Sequence, residues 1–136
     1  MKNLRVLTLV NACFYLAIGT GGPFINLFFE GLGASYGRIA QILVLYMVVT
    51  IAANTFYGRF ADRLGPRRPW LITGLALQAV GYATLALAGE LVQAGVGRVL
   101  EGLGVALFAT VSLAIVGELV QNSANKGRVI GVYRGI

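Results

Sequence analysis

Four long stretches of this chain contain almost no charged residues. Three of them lack Asp, Glu, Lys and Arg altogether, and the fourth contains one arginine and one glutamate. A helix needs about 20 mainly apolar residues to cross the hydrocarbon core of a bilayer. The sequence therefore predicts an all-α, multi-pass transmembrane helical bundle. Its spans are predicted at about residues 6–29, 39–58, 70–89 and 91–117.

Composition supports a membrane protein and argues against the main soluble classes. Hydrophobic residues make up 57% of the 136 residues and charged residues only 12%. A soluble domain of this size needs more polar residues to cover its surface. Histidine is absent and the one cysteine, Cys13, lies in an apolar stretch. We therefore expect no enzymatic activity, no metal site and no cofactor. The net charge of +6 comes from residues near the ends of the stretches, so nucleic-acid binding is not expected.

Lysine and arginine are distributed unequally between the two ends of the predicted spans. One side carries eight of them, and the other carries only Arg38 beside Glu30 and Glu90. Because loops rich in Lys and Arg stay on the cytoplasmic side, we expect a plasma-membrane protein with a cytoplasmic N-terminus. The eight are Lys2, Arg5, Arg59, Arg63, Arg67, Arg68, Lys126 and Arg128.

The last ten residues, 127–136, become apolar again after a polar segment. Ten helical residues extend about 15 Å, which is half of the hydrocarbon thickness of about 30 Å. We expect this segment to be the start of a fifth helix in a truncated chain.

Polar side chains recur along one face of the first two predicted spans. Their spacing of three and four residues places them on a single helical stripe. Inside a membrane such groups need either a partner or water. Two interpretations remain open, since the stripes could line a water-filled substrate cavity or could join neighbouring helices. The candidate cavity residues are Asn11, Tyr15, Asn26, Tyr46 and Asn54.

The fourth span contains the pair of residues that is most costly to bury. Arg98 and Glu101 are three residues apart, so they lie on one helical face and can form an ion pair. Arg98 is about 10 Å from the start of the span, and an ion pair at that depth is by default a candidate functional site. Glu101 is the only acidic residue inside a predicted span, which makes it a candidate proton carrier. A static structural ion pair is the alternative.

Glycines recur at intervals of seven residues around this pair. Gly95 and Gly102 form one repeat, and Gly97 and Gly104 form the other. Small residues let helices approach closely in a membrane. We therefore expect these faces to pack against the first or second helix.

The loop between the second and third spans resembles the signature of the major facilitator superfamily, G-x-L-a-D-r-x-G-r-k. Phe60 stands where the signature has leucine. Pro66 stands where a basic residue is common, and Arg68 nearby would compensate. The matching positions are Gly58, Ala61, Asp62, Arg63, Gly65 and Arg67.

A second resemblance to the same family lies in the fourth span. Arg98, Gly102 and Gly104 match the pattern R-x-x-q-G-x-g, and Glu101 replaces its glutamine. A looser likeness falls at residues 125–128, where the family often has Arg-Gly before its fifth helix. The order and separation of these motifs extend the resemblance over the whole chain.

The resemblance implies a secondary transporter that works by alternating access and consists of two six-helix halves. Residues 1–136 would be the N-terminal part, with helices 1 and 4 lining the central cavity. The implied partners are a small solute or drug, protons as the coupling ion, the lipid bilayer and the missing C-terminal half. The position that matches Asp62 would help to latch the two halves on the cytoplasmic side.

Two other classes of membrane protein are alternatives to such a transporter. A small four-helix multidrug exporter needs a glutamate in its first span, and residues 6–29 contain no acid. A membrane fragment or assembly module without transport of its own is the stronger alternative, because this chain would hold only half of the gate. The direction of transport stays open, with a slight preference for export.

Overall fold

The computed structural model describes residues 2–60, 65–121, 127, 130, 131 and 133. Within these ranges the chain is helical and contains no β-strand. All four helices are long and apolar enough to cross a membrane, which confirms the predicted multi-pass bundle. They are α1 (Lys2–Gly31), α2 (Tyr36–Phe60), α3 (Arg67–Ala86) and α4 (Leu91–Leu119).

The turn between α1 and α2 is short because a glycine ends α1. Gly33 has a φ of 77°, a left-handed conformation that glycine adopts without strain. Its N–H donates to the Glu30 carbonyl at 2.9 Å, and the Ala34 N–H donates to the Phe29 carbonyl at 3.1 Å. These two bonds form a Schellman motif, and Phe29 and Ala34 belong to the same buried cluster. The motif makes α1 and α2 antiparallel neighbours.

Helix α4 lies at the centre of the bundle and contacts each of the other three helices. Its contact with α1 includes stacked rings of Phe14 and Phe108, whose centroids are 3.9 Å apart. By contrast, many large apolar side chains of α1 and α2 are exposed. Examples are Leu16, Phe24 and Ile51. These outer faces suit lipid or further helices.

The closest helix contact joins α3 to α4, and glycines make it possible. A Cβ atom added to Gly104 would lie 2.6 Å from the Gln78 backbone nitrogen, and one added to Gly81 would lie 2.7 Å from the Glu101 nitrogen. Gly97 likewise faces α3, at Leu85. The two helices therefore pack backbone against backbone over several turns.

This arrangement differs from the expectation that all the α4 glycines face α1 or α2. Gly102 does face α2, because a Cβ there would lie 2.8 Å from Thr50 Oγ1. Gly97 and Gly104 face α3 instead, where Gly74 and Gly81 offer a matching smooth surface. No described atom of another helix lies within 4 Å of a Cβ atom placed on Gly95.

Candidate functional site

The ion pair of α4 is enclosed by the bundle. Arg98 Nη1 donates to Glu101 Oε2, as the spacing of three residues predicts. Arg98 is 6% exposed and Glu101 1% exposed, so both charges are removed from lipid and from bulk water. A buried pair of this kind is tolerated only when the surrounding helices supply further polar partners.

Helix α2 supplies one partner through Tyr46. The Arg98 guanidinium carbon lies 3.9 Å from the centroid of the Tyr46 ring, which is a cation–π contact. Gly102 allows this approach, because its missing side chain leaves room for Tyr46 and Thr50. Tyr46, a candidate cavity residue, therefore lies directly on the cation of the pair.

Helix α3 supplies two further polar groups that the sequence analysis did not assign to the site. Tyr82 lies close enough to Glu101 for their side chains to interact, and the buried Gln78 side chain interacts with Tyr82. Among the described residues, Gln78 Oε1 and Arg98 Nε have no hydrogen-bond partner. A usable signal was present, since Gln78 and Tyr82 are one turn apart within an otherwise apolar stretch.

Tyr82 also links this cluster to α1. Its hydroxyl group donates to the Ala17 carbonyl at 3.5 Å. The same oxygen lies 3.3 Å from the position of a Cβ atom on Gly21. The site therefore draws on every described helix: the pair on α4, Tyr46 on α2, and Tyr82 between α3 and α1.

A second polar cluster lies between α1, α4 and Tyr133. Asn11 is 2% exposed and its Nδ2 donates to the Tyr133 carbonyl at 3.0 Å. The cluster borders a cavity of about 90 Å³, with Tyr15 and Ser112 in its wall. The buried Tyr133 hydroxyl makes no hydrogen bond of ordinary geometry in the described part of the chain, and it interacts with the Ser112 side chain. This volume would hold roughly three water molecules or one small polar group.

The remaining cavity candidates lie elsewhere. Asn54 Oδ1 accepts a hydrogen bond of 3.1 Å from Thr110 Oγ1, so this side chain joins α2 to α4. Asn26 is exposed, about 16 Å along α1 from Tyr15. The structure therefore brings Asn11 and Tyr15 together with Ser112 and separates them from Asn26. Within the described ranges, no group of three His, Cys, Asp or Glu side chains could hold a metal ion.

The signature loop is only partly described. Asp62 and Arg63 lie outside the described residues, and Gly58, Gly65 and Arg68 are exposed. Arg67 Nη2 lies 3.0 Å from Glu118 Oε1, which ties the start of α3 to the end of α4. The short turn after α3 makes α3 and α4 antiparallel, so the start of α3 lies near the end of α4. The sequence alone did not predict this ion pair.

Comparisons with known proteins agree with one another. The profile of a family described as Major Facilitator Superfamily matches residues 7–136. The multidrug resistance protein MdtH of Cronobacter sakazakii is 39% identical over 87 residues, which is 63% of this chain and 21% of that protein. The inner membrane transport protein YajR of Escherichia coli is 31% identical over 104 residues, 76% of this chain and 23% of that protein.

A tetracycline resistance protein, class D, of Salmonella ordonez is 39% identical over 62 residues, 46% of this chain and 16% of that protein. The chain therefore spans about a fifth of the length of these relatives. No solved structure gives a significant match.

Proposed function

Because this chain belongs to the major facilitator superfamily, we propose that its four helices are the first spans of a secondary active transporter that moves a small solute or drug by alternating access. Members of this family are transporters and not enzymes, and the chain is an integral membrane protein. The names of the multidrug and tetracycline resistance relatives favour a drug as substrate and export as direction.

The observation that carries the proposal is the buried pair of Arg98 and Glu101. When Glu101 is ionised, the pair is neutral overall and fits a closed bundle. When Glu101 takes up a proton, Arg98 keeps its charge and loses its carboxylate partner, leaving Tyr46 as its neighbour. An unpaired buried charge is costly, so protonation would favour a state in which Arg98 reaches water or an anionic group. Proton uptake would thus be coupled to a change of conformation.

The small polar cavity is the proposed contact with substrate. Asn11, Tyr15 and Ser112 offer amide and hydroxyl groups but no charge, so they suit a neutral hydrogen-bonding group. Asn54 serves packing through Thr110. The helices of a second half would complete the cavity, as the two-half architecture of the family requires.

The signature loop is the proposed cytoplasmic gate. Arg67 holds the start of α3 to the end of α4 through Glu118, next to the loop that contains Asp62 and Arg63. In this proposal Asp62 latches onto a helix of the second half, and Gly58, Gly65 and Arg68 shape the loop. The excess of Lys and Arg at this end supports a cytoplasmic N-terminus in the plasma membrane.

The test is drug accumulation in cells that lack their main exporters and express the intact transporter containing this chain. The unmodified transporter should lower the accumulation of ethidium or tetracycline, and an uncoupler should reverse this effect. Glu101→Gln should abolish the effect, because glutamine cannot carry the proton. Glu30→Gln is the matched control, since Glu30 is exposed at the end of α1. Uncoupler-sensitive export by Glu101→Gln at the level of the unmodified protein would reject the proton-carrier role.

Expression of the 136-residue chain alone tests the need for a second half. We expect membrane insertion without export, which is also what a non-transporting fragment or assembly module would show. Proton-coupled flux by the chain alone is then measured in proteoliposomes. Robust flux would contradict the proposal that transport needs a second half.

A further inference from the structure

A groove of about 500 Å³ lies between α2 and α4. It is formed by the first turns of both helices, beside the α1–α2 turn. Gly95 lies in its wall, and the absence of a side chain there keeps the groove open, since no described atom of another helix comes within 4 Å of its Cβ position. The groove is lined by seven aliphatic side chains, which are Ile42, Leu45, Leu91, Val92, Val96, Val99 and Leu100. We call this feature the α2–α4 groove.

The rim of the α2–α4 groove is polar and carries one positive charge. Arg38 and Gln41 line the groove from the first turns of α2, on the same helical face as Ile42 and Leu45. Arg38 is exposed and has no ion-pair partner among the described residues. None of the residues that line the groove is acidic.

We propose that the α2–α4 groove binds one anionic phospholipid, with its phosphate on Arg38 and Gln41 and an acyl chain along the aliphatic wall. From Arg38 to Leu45 the lining descends about 10 Å along the helix axis, which is the step from the interface into the hydrocarbon. A guanidinium group can donate two parallel hydrogen bonds to a phosphate. The order of polar rim and apolar wall therefore matches the order of groups in a phospholipid.

The charge of the lining favours a headgroup with net negative charge over a zwitterionic one. An anionic phospholipid neutralises Arg38, whereas the ammonium group of a zwitterionic lipid would find no acidic residue in the groove wall. One arginine near the membrane surface changes the affinity for anionic lipid about fivefold. The proposal needs a bilayer but does not depend on transport.

The test uses the full chain in nanodiscs that contain a phosphatidylglycerol or a phosphatidylcholine with the same photoreactive acyl chain. Crosslinked peptides are mapped by mass spectrometry, and the readout is the crosslink yield within residues 38–45 and 91–100. We expect phosphatidylglycerol to exceed phosphatidylcholine there. Arg38→Gln should reduce this preference about fivefold, and Arg38→Lys should retain most of it.

Two further variants complete the design. Gly95→Leu places a bulky side chain in the groove, so it should lower the yield with both lipids. Arg59→Gln is the matched control, because it removes the same charge from the opposite end of α2 and should leave the groove crosslinks unchanged. Circular dichroism in the nanodiscs checks that each variant keeps its helices.

Two results would overturn the proposal. Equal yields for both lipids, unaffected by Arg38→Gln, would mean ordinary contact with the bilayer. Protection of the groove from both lipids, together with a dimeric mass that Gly95→Leu reduces, would mean that a second copy of the chain occupies it.

Discussion

A methyl group added at Gly104 provides a direct test of the contact between α3 and α4. The new Cβ atom would lie 2.6 Å from the Gln78 nitrogen and 2.8 Å from the Gly74 carbonyl oxygen. Ordinary contact begins near 3.4 Å, so α3 would have to move by most of an ångström. Both neighbours are backbone atoms, and no flexible side chain can give way. Overpacking of this kind costs about 1–3 kcal/mol.

The matched control is Gly95→Ala on the same helix, where the added methyl group meets no described atom of another helix. Alanine is favoured over glycine in a helix by about 1 kcal/mol, so this variant should be as stable as the unmodified chain or slightly more stable. Gly104→Ala should be about 1–3 kcal/mol less stable despite the same gain in helix propensity.

The assay is reversible unfolding of both variants in bilayer-like bicelles, followed by fluorescence of the single tryptophan, Trp70, near the start of α3. The measured quantity is the change in unfolding free energy relative to the unmodified chain. If both variants unfold with the same free energy, α3 does not contact α4 through Gly104 and the packing described above is wrong.

The two ion pairs should differ strongly in their effect on stability. Arg98→Gln removes the described ionic partner of buried Glu101, so it should lower the free energy of unfolding by about 3–5 kcal/mol. Replacing both residues by Met and Leu should lower it much less. Equal losses in the single and double variants would contradict this. For the pair of Arg67 and Glu118, the Glu118 side chain is 60% exposed, so a double-mutant cycle should give a coupling energy of about 0–1 kcal/mol. A coupling above that range would mean that this pair is shielded from water. The same unfolding assay measures both pairs.

Much of the site was predictable where the relevant interaction is local in sequence. Arg98 and Glu101 pair within one turn of a single helix, so their spacing alone indicates the contact. Tyr46 and Tyr82 reach the same pair from other helices, and the sequence does not state which faces of α2 and α3 meet α4. The hydrogen bond between Asn54 and Thr110 joins residues 56 positions apart. It too depends on which helix faces meet, so the sequence did not predict it. The gate role of Asp62 stays a prediction, because that residue lies outside the described ranges.

By itself the sequence determined the class of protein, the four spans and the presence of a buried ion pair. The physical reason is that a charge in hydrocarbon is costly, so the absence of charge over about 20 residues marks a span and its presence marks a site. Only the tertiary structure decided how the repeated glycines are used. Gly95, Gly97, Gly102 and Gly104 are equivalent in sequence, yet one borders a groove, one meets α2 and two meet α3. A missing side chain specifies close approach but not the partner, and the partner follows from the complementary surface of the neighbouring helix.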